Sequence, residues 1–221
     1  MSIEPEINSS REIETGAARG VDLPLRYRTP SVWARQALCE PLALLNDHAH
    51  LEKKAATNAL DVLCRWPTAR PTENWVSALT TVARDEAEHL AIVTRLLARR
   101  GGELTREHRN TYANELRRLV RLGEGPLELM DRLMISALIE SRSCERFELL
   151  SRHCDDAELA RLYGGLWASE NGHYRIFLEL SRMVGKPAVV EERWNFMLNR
   201  EAEIIQSQPP GAKMHSGVAS D

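Results

Sequence analysis

No apolar run in this chain approaches the roughly 20 residues needed to cross a bilayer. Its polar, acidic start has no apolar signal core either. Together these absences predict a soluble cytoplasmic protein. None of the four cysteines, Cys39, Cys64, Cys144 and Cys154, forms a Cys-x-x-Cys pair, and three of them fall inside helical patterns. That leaves thiols packed in a reducing compartment. There is no basic excess, since 29 Lys and Arg face 32 Asp and Glu for a net charge of -3, so no global charge announces nucleic acid. Lysine is scarce: 25 of the 29 basic residues are Arg, which suits bidentate phosphate contacts and plain ion pairs alike. Strand-like alternation is almost absent.

What is present is helical periodicity. The 221 residues fit one domain with room for a sizeable core. Residues 1–28 are polar, lack periodicity and read as a flexible leader. Apolar stripes predict helices over about 31–64, 72–100, 127–152 and 156–183, a short helix near 107–121 and a fifth long one over 189–206. Ser31 or Thr29, Thr72, and Asp155 or Asp156 stand where N-caps belong. Pro67 and Pro71 break the first connection, and Gly101-Gly102 ends the second helix. The five Trp residues read as core or half-buried packing. Residues 207–221 read as an irregular tail after a helical domain spanning 29–206.

Two Glu-x-x-His pairs stand out, Glu86/His89 and Glu170/His173. Each follows a lone Glu one helical hairpin upstream: Glu52 precedes Glu86 by 34 residues and Glu140 precedes Glu170 by 30. Residues three apart share a helix face, so Glu-x-x-His presents a carboxylate and an imidazole to one ion. Two such helices, with two more each giving a Glu, form the ligand set of a carboxylate-bridged two-metal centre in a four-helix bundle. Four carboxylates balance two divalent ions. Carboxylate with imidazole suits iron or manganese, and no thiolate argues for zinc. Composition alone yields roughly 0.8 Glu-x-x-His matches, so the motif count is weak. The placement is strong, because all six residues fall on apolar stripes, where unpaired carboxylates are costly.

Other residues carry less. His48 lies one turn before Glu52 and reads either as a residue supporting it from behind the metal site or as a satisfied core histidine. Asp85 and Glu88 point to other faces. Glu145 lies about 140° around the helix from Glu140 and pairs with Arg142 or Arg146 rather than with metal. The segment 95–121 holds eight Arg against three Glu. It reads as a solvated face or as a phosphate-contacting patch beside the metal site.

Several stretches resemble a known family. They are Asp47-His48-Ala49-His50-Leu51-Glu52-Lys53-Lys54-Ala55-Ala56, Ala83-Arg84-Asp85-Glu86-Ala87-Glu88-His89, Leu116-Arg117-Arg118-Leu119-Val120-Arg121, Ile139-Glu140-Ser141-Arg142-Ser143-Cys144-Glu145-Arg146-Phe147 and Ser169-Glu170-Asn171-Gly172-His173-Tyr174. All are similar to the bacterial tRNA 2-methylthio-N6-isopentenyladenosine hydroxylases, the MiaE family. The segment around Glu140 is the most specific. The tail His215-Ser216-Gly217 also resembles that family's ending, which implies an ordered tail.

The resemblance implies an all-α, ferritin-like four-helix bundle with additional short helices. It implies a non-haem di-iron monooxygenase that hydroxylates the isopentenyl group beside the tRNA anticodon, with O2 as co-substrate and an external electron donor. The two Fe ions would be held by Glu52, Glu86, His89, Glu140, Glu170 and His173. Arg99, Arg100, Arg109, Arg117, Arg118 and Arg121 become candidate tRNA contacts. Gly172 departs from the family pattern; it costs about 1 kcal/mol against Ala in a helix and predicts a looser helix at the metal. Two alternatives share these features: a ferritin-type iron-oxidising protein, and a non-catalytic RNA-binding bundle.

Overall fold

Four long helices carry the two repeats, and their apolar residues show how they run. The structure, a computed structural model, describes residues 22–219. Among these lie α1 (Val32–Leu38), α2 (Pro41–Leu63), α3 (Glu73–Arg99), α4 (Thr111–Arg117), α5 (Pro126–His153), α6 (Ala157–Val184) and α7 (Pro187–Gln206). The core has two main apolar clusters. Helix α2 begins in one with Leu44, Leu45 and Ala49 and ends in the other with Ala59 and Val62. Helix α3 runs the opposite way, from Trp75, Leu79 and Val82 to Val93, Leu96 and Leu97. Helix α5 runs with α3, and α6 runs with α2.

Helices α2/α3 and α5/α6 are therefore antiparallel hairpins. The segment between α3 and α5 must return along the length of the bundle, and it carries α4 on the way. A single long crossover is one of the two ways such bundles connect. This is the all-α, ferritin-like four-helix architecture expected. On every long helix the candidate ligand lies between the residues of one apolar cluster and those of the other. The bundle thus has two dry ends and one polar layer across its middle. Each large apolar side chain buried in those ends contributes about 1.5–3 kcal/mol, and the ends carry the stability that the polar layer does not.

Several boundaries differ from the sequence expectation. The first long helix is two, because Pro41 has no N–H to continue it and opens α2 at its first turn, after Glu40 leaves helical geometry at φ -127°, ψ 67°. Thr72 caps α3 by accepting from Trp75 N at 3.2 Å, and Asp156 caps α6 through Glu158 N and Leu159 N. Ser31 occupies the N-cap of α1 without a side-chain bond. Thr29 instead turns inward, giving its N–H and hydroxyl to Glu145 at 3.0 and 2.7 Å. Helix α6 runs unbroken through Gly172. Only Cys144 lies within a helix; Cys39, Cys64 and Cys154 are C-caps, and all four thiols are free. Trp66 is an exception among the tryptophans, 41% exposed.

Both ends of the described chain pack. Residues 1–21 of the expected leader lie outside the described residues, but Leu23 and Leu25 are buried beside Cys144 and Tyr174. The order therefore begins before residue 29. The tail has no helix, yet Met214, His215 and Ser216 are buried. Its turn closes with Gly217 N–H donating to Pro209 O at 2.9 Å. A Cβ on Gly217 would stand 1.9 Å from the Gln208 carbonyl oxygen, so no side chain fits there. That is the physical reason for glycine in this position.

Candidate metal centre

The polar layer is built by four helix faces meeting at one level. Glu52 comes from α2, Glu86 and His89 from α3, Glu140 from α5, and Glu170 and His173 from α6. All six are buried, none more than 9% exposed. One ligand atom each from Glu52, Glu86, His89 and Glu170 falls within a 4.8 Å span. His89 Nδ1 stands 3.6 Å from Glu52 Oε2, 3.8 Å from Glu86 Oε2 and 3.5 Å from Glu170 Oε1. On the other side His173 Nδ1 lies 2.7 Å from Glu86 Oε1 and 3.5 Å from Glu170 Oε2. Glu86 and Glu170 thus face both imidazoles, one oxygen towards each. The two rings are 6.0 Å apart between centroids.

These contacts are not hydrogen bonds. Glu86 Oε1, His89 Nδ1, Glu170 Oε2 and His173 Nδ1 are all buried atoms without a hydrogen-bond partner. Even the 2.7 Å approach of His173 to Glu86 lacks hydrogen-bond alignment. Atoms that crowd one another without pointing at one another share a target. Ligands held about 2.1 Å from an ion lie roughly 3–3.5 Å from each other, slightly closer than the 3.5–3.8 Å seen around His89. Hard oxygens with imidazole nitrogens fit iron or manganese.

Burial and mutual repulsion shift the titration of the side chains in this layer. Burial, then Glu170 and Glu52, push Glu86 up to about 8. Burial with Glu170 and Glu86 raises Glu140 well above the carboxylate range. Burial would lower His89 and His173, but the carboxylates crowded around each ring outweigh it and lift them to about 12 and 10. Glu170, also penalised by burial, stays low because both imidazoles and Glu140 serve its charged form. A metal pair would displace protons from these groups, as metal binding to such ligands generally does.

Two neighbours hold the layer in place. His48 Nε2 meets Glu52 Oε1 at 2.5 Å, and burial holds its ring at about 4, so a neutral imidazole orients the carboxylate. Asp85 corrects the expectation that it points away. Its Oδ2 lies 3.4 Å from His173 Nε2, on the far side of the ring from the carboxylates. The sequence signal was present, since Asp85 directly precedes a candidate ligand, but helix α6 had to be placed before its target was visible. Glu145, as expected, pairs with Arg142.

A cavity open to solvent, with about 830 Å³ between its walls including that open space, reaches the layer, lined by Glu52, Glu86, Glu140, Glu170 and His48. Its other walls are largely apolar, with Leu51, Ala55, Ile135, Ile139, Phe147 and Met214. Lys54 and Arg117 add positive charge to the lining, and Arg132, paired with Glu128 at 2.9 Å, also faces it. The arginine patch divides. Arg99 pairs with Glu158 at 2.5 Å, and Arg100 pairs with Asp156 and Glu158 at 2.6 and 2.8 Å. Arg121 binds the buried Asp131 at 2.7 Å. These three serve the fold. Arg109, Arg117 and Arg118 are exposed and have no carboxylate partner among the described residues. Arg117 reaches the cavity, and Arg109 lines a second one with Lys213 and His215.

Residues 19–216 match the family model described as tRNA-(MS[2]IO[6]A)-hydroxylase (MiaE). The chain is 40% identical over 198 residues to a tRNA 2-(methylsulfanyl)-N(6)-isopentenyladenosine(37) hydroxylase of Pseudomonas putida, covering 90% of this chain and 94% of that one. A Salmonella typhimurium protein of the same description is 30% identical over 143 residues, 65% of this chain and 52% of its own length. Among solved structures, a Synechococcus protein described as having aldehyde deformylating oxygenase activity superposes with a TM-score of 0.80 at 32% identity. That match covers 89% of this chain and 97% of that one.

Proposed function

The chain belongs to the MiaE family of tRNA hydroxylases, and from that premise we propose that it hydroxylates the isopentenyl group of 2-methylthio-N6-isopentenyladenosine beside the tRNA anticodon. The observation that carries this reading is the cavity. It joins an apolar channel to a buried carboxylate layer at one end and brings cations into its lining. A prenyl group matches the channel, and a polyanion matches the cations.

In this reading Glu52, Glu86, His89, Glu140, Glu170 and His173 hold two iron ions. When bound, that pair would supply the redox chemistry that places one atom of O2 in an allylic C–H bond of the prenyl group and releases the other as water, with two electrons from an external donor. The chain's own residues do the rest. Ile135, Ile139 and Phe147 keep water from the reacting carbon. The Glu52–His48 bond and the Asp85–His173 contact fix the ligand orientations from behind. No helix among the described residues is long and apolar enough to cross a membrane, in keeping with a tRNA substrate.

A single turnover tests the function. Protein loaded anaerobically with two ferrous ions meets tRNA carrying the modified adenosine, then oxygen, and the RNA is digested for nucleoside mass spectrometry. The expected product is heavier by one oxygen atom taken from O2. Iron oxidation with unchanged nucleoside would instead point to a ferritin-type iron-oxidising protein.

The outer contact of His173 gives a graded prediction. Asp85→Asn removes the charge that holds the ring, and such losses typically cost about 10–100-fold in metal affinity or activity. Iron titration followed by absorbance reads it directly. Affinity within a factor of two of the parent would mean that Asp85 merely pairs with its sequence neighbour Arg84.

A further inference from the structure

A buried chain of polar groups that the ligand set does not use ends at the same cavity. Asp47 and His108 have side chains only 7% and 6% exposed. Asp47 Oδ1 is 2.7 Å from His108 Nε2, and Asp47 Oδ2 accepts from the backbone N–H of Met214 at 2.9 Å. The other ring nitrogen, His108 Nδ1, is 2.8 Å from Lys54 Nζ. His50 stacks on the His108 ring at 4.7 Å with only 4° between planes. The His108 imidazole is therefore fixed by a carboxylate, a parallel ring and a lysine together.

The chemistry of the donors sets the tautomer. A lysine ammonium can only donate, so His108 Nδ1 accepts and its proton sits on Nε2, facing Asp47. Lys54 is thus held by a neutral partner. Arg121 and Arg193 differ, since both spend their charge on buried Asp131. Lys54 has no carboxylate partner among the described residues, and it lines the cavity with Arg117 and Arg132. The arrangement aims a cation and at least one spare N–H into the channel while leaving its charge unneutralised.

We propose that Lys54 is a substrate-binding residue that grips a phosphate flanking the prenylated nucleotide, with His108 and Asp47 as the residues that position it. This rests on the tRNA hydroxylase reading and adds a contact outside the arginine patch. It also gives the ordered tail a purpose. Met214 closes the cavity wall with its side chain and anchors Asp47 with its backbone.

The test is RNA binding by the full iron-loaded chain. Fluorescence anisotropy with an anticodon stem-loop carrying the modified adenosine is followed across salt concentration. Lys54→Met is expected to weaken binding about 5–10-fold at low salt. It should also reduce the slope of log K against log salt by roughly one phosphate contact, about 0.7–0.9. Lys54→Arg should keep the slope. His108→Phe should also keep it, because the charge remains, while losing affinity because the head is no longer held. In turnover Lys54→Met should raise KM and leave kcat nearly unchanged. Iron content and thermal midpoint equal to the parent's would show that the fold is intact.

A Lys54→Met protein with the parent's affinity and slope would overturn the proposal. So would a fall in kcat alone. Parent protein that binds the stem-loop but leaves the nucleoside unoxidised would sink the hydroxylase reading, while the slope comparison would still decide on Lys54. Parent protein that binds no RNA would sink both.

Discussion

Glu170→Ala is expected to abolish hydroxylation and to drop bound iron from two ions per chain to one or none. Glu170 lies between the two halves of the layer, with one oxygen 3.5 Å from His89 Nδ1 and the other 3.5 Å from His173 Nδ1. It is also the carboxylate whose negative charge both imidazoles favour most. Losing an outer partner of a metal ligand already costs about 10–100-fold, so a lost ligand facing both sites should cost at least on the order of 100-fold in turnover. Iron per chain by elemental analysis and product by nucleoside mass spectrometry read the two effects separately. The opposing reading is a bundle whose buried Glu and His residues simply neutralise one another. It predicts a parent protein that never takes up two ions. Two tightly bound ions in Glu170→Ala would sink the ligand set itself.

The second large effect concerns folding. Arg142 is fully buried and binds two carboxylates, Glu145 and Glu201. Its Nε and Nη2 reach Glu201 at 2.8 Å each, and its guanidinium also donates to Tyr27 O at 3.1 and 3.2 Å. Tyr112 adds a hydroxyl to Glu201 at 3.0 Å. Arg142 thus ties α5 to α7 and to the segment before α1, and Glu201 in turn holds Tyr112 of α4. Arg142→Met strands two buried carboxylates, and breaking such a pair costs about 3–5 kcal/mol. Whole domains hold only about 5–15 kcal/mol, so the denaturant midpoint should fall steeply. Adding Glu201→Gln should recover part of the loss, since it removes one stranded charge. A loss below about 1 kcal/mol for Arg142→Met, with no recovery in the double variant, would show that water reaches the cluster.

The six residues of the metal layer are visible without coordinates because helical spacing is local: three residues apart means one face, whatever surrounds it. The same locality exposes the caps at Thr72 and Asp156 and the glycine stop at Gly101. The split at Pro41 was equally local and equally legible. It is hidden only if one continuous apolar stripe is allowed to outweigh a residue with no N–H.

Partnership across the molecule is different. Arg100 and Arg117 are alike in sequence, yet one is spent on Asp156 and Glu158 while the other is left at the cavity. Asp85 finds His173 only because α3 and α6 lie side by side, and Lys54 meets His108 only because the crossover returns past α2. Thr29 turns to Glu145 rather than capping α1 because that carboxylate waits 116 residues away. The sequence by itself determined the helices and the six inward-facing Glu and His residues that they carry, since backbone periodicity and residue chemistry act within a few turns. The tertiary structure alone decided which charges neutralise one another and which remain for a substrate. Electrostatic pairing depends on distance and burial, and neither exists until the helices have packed.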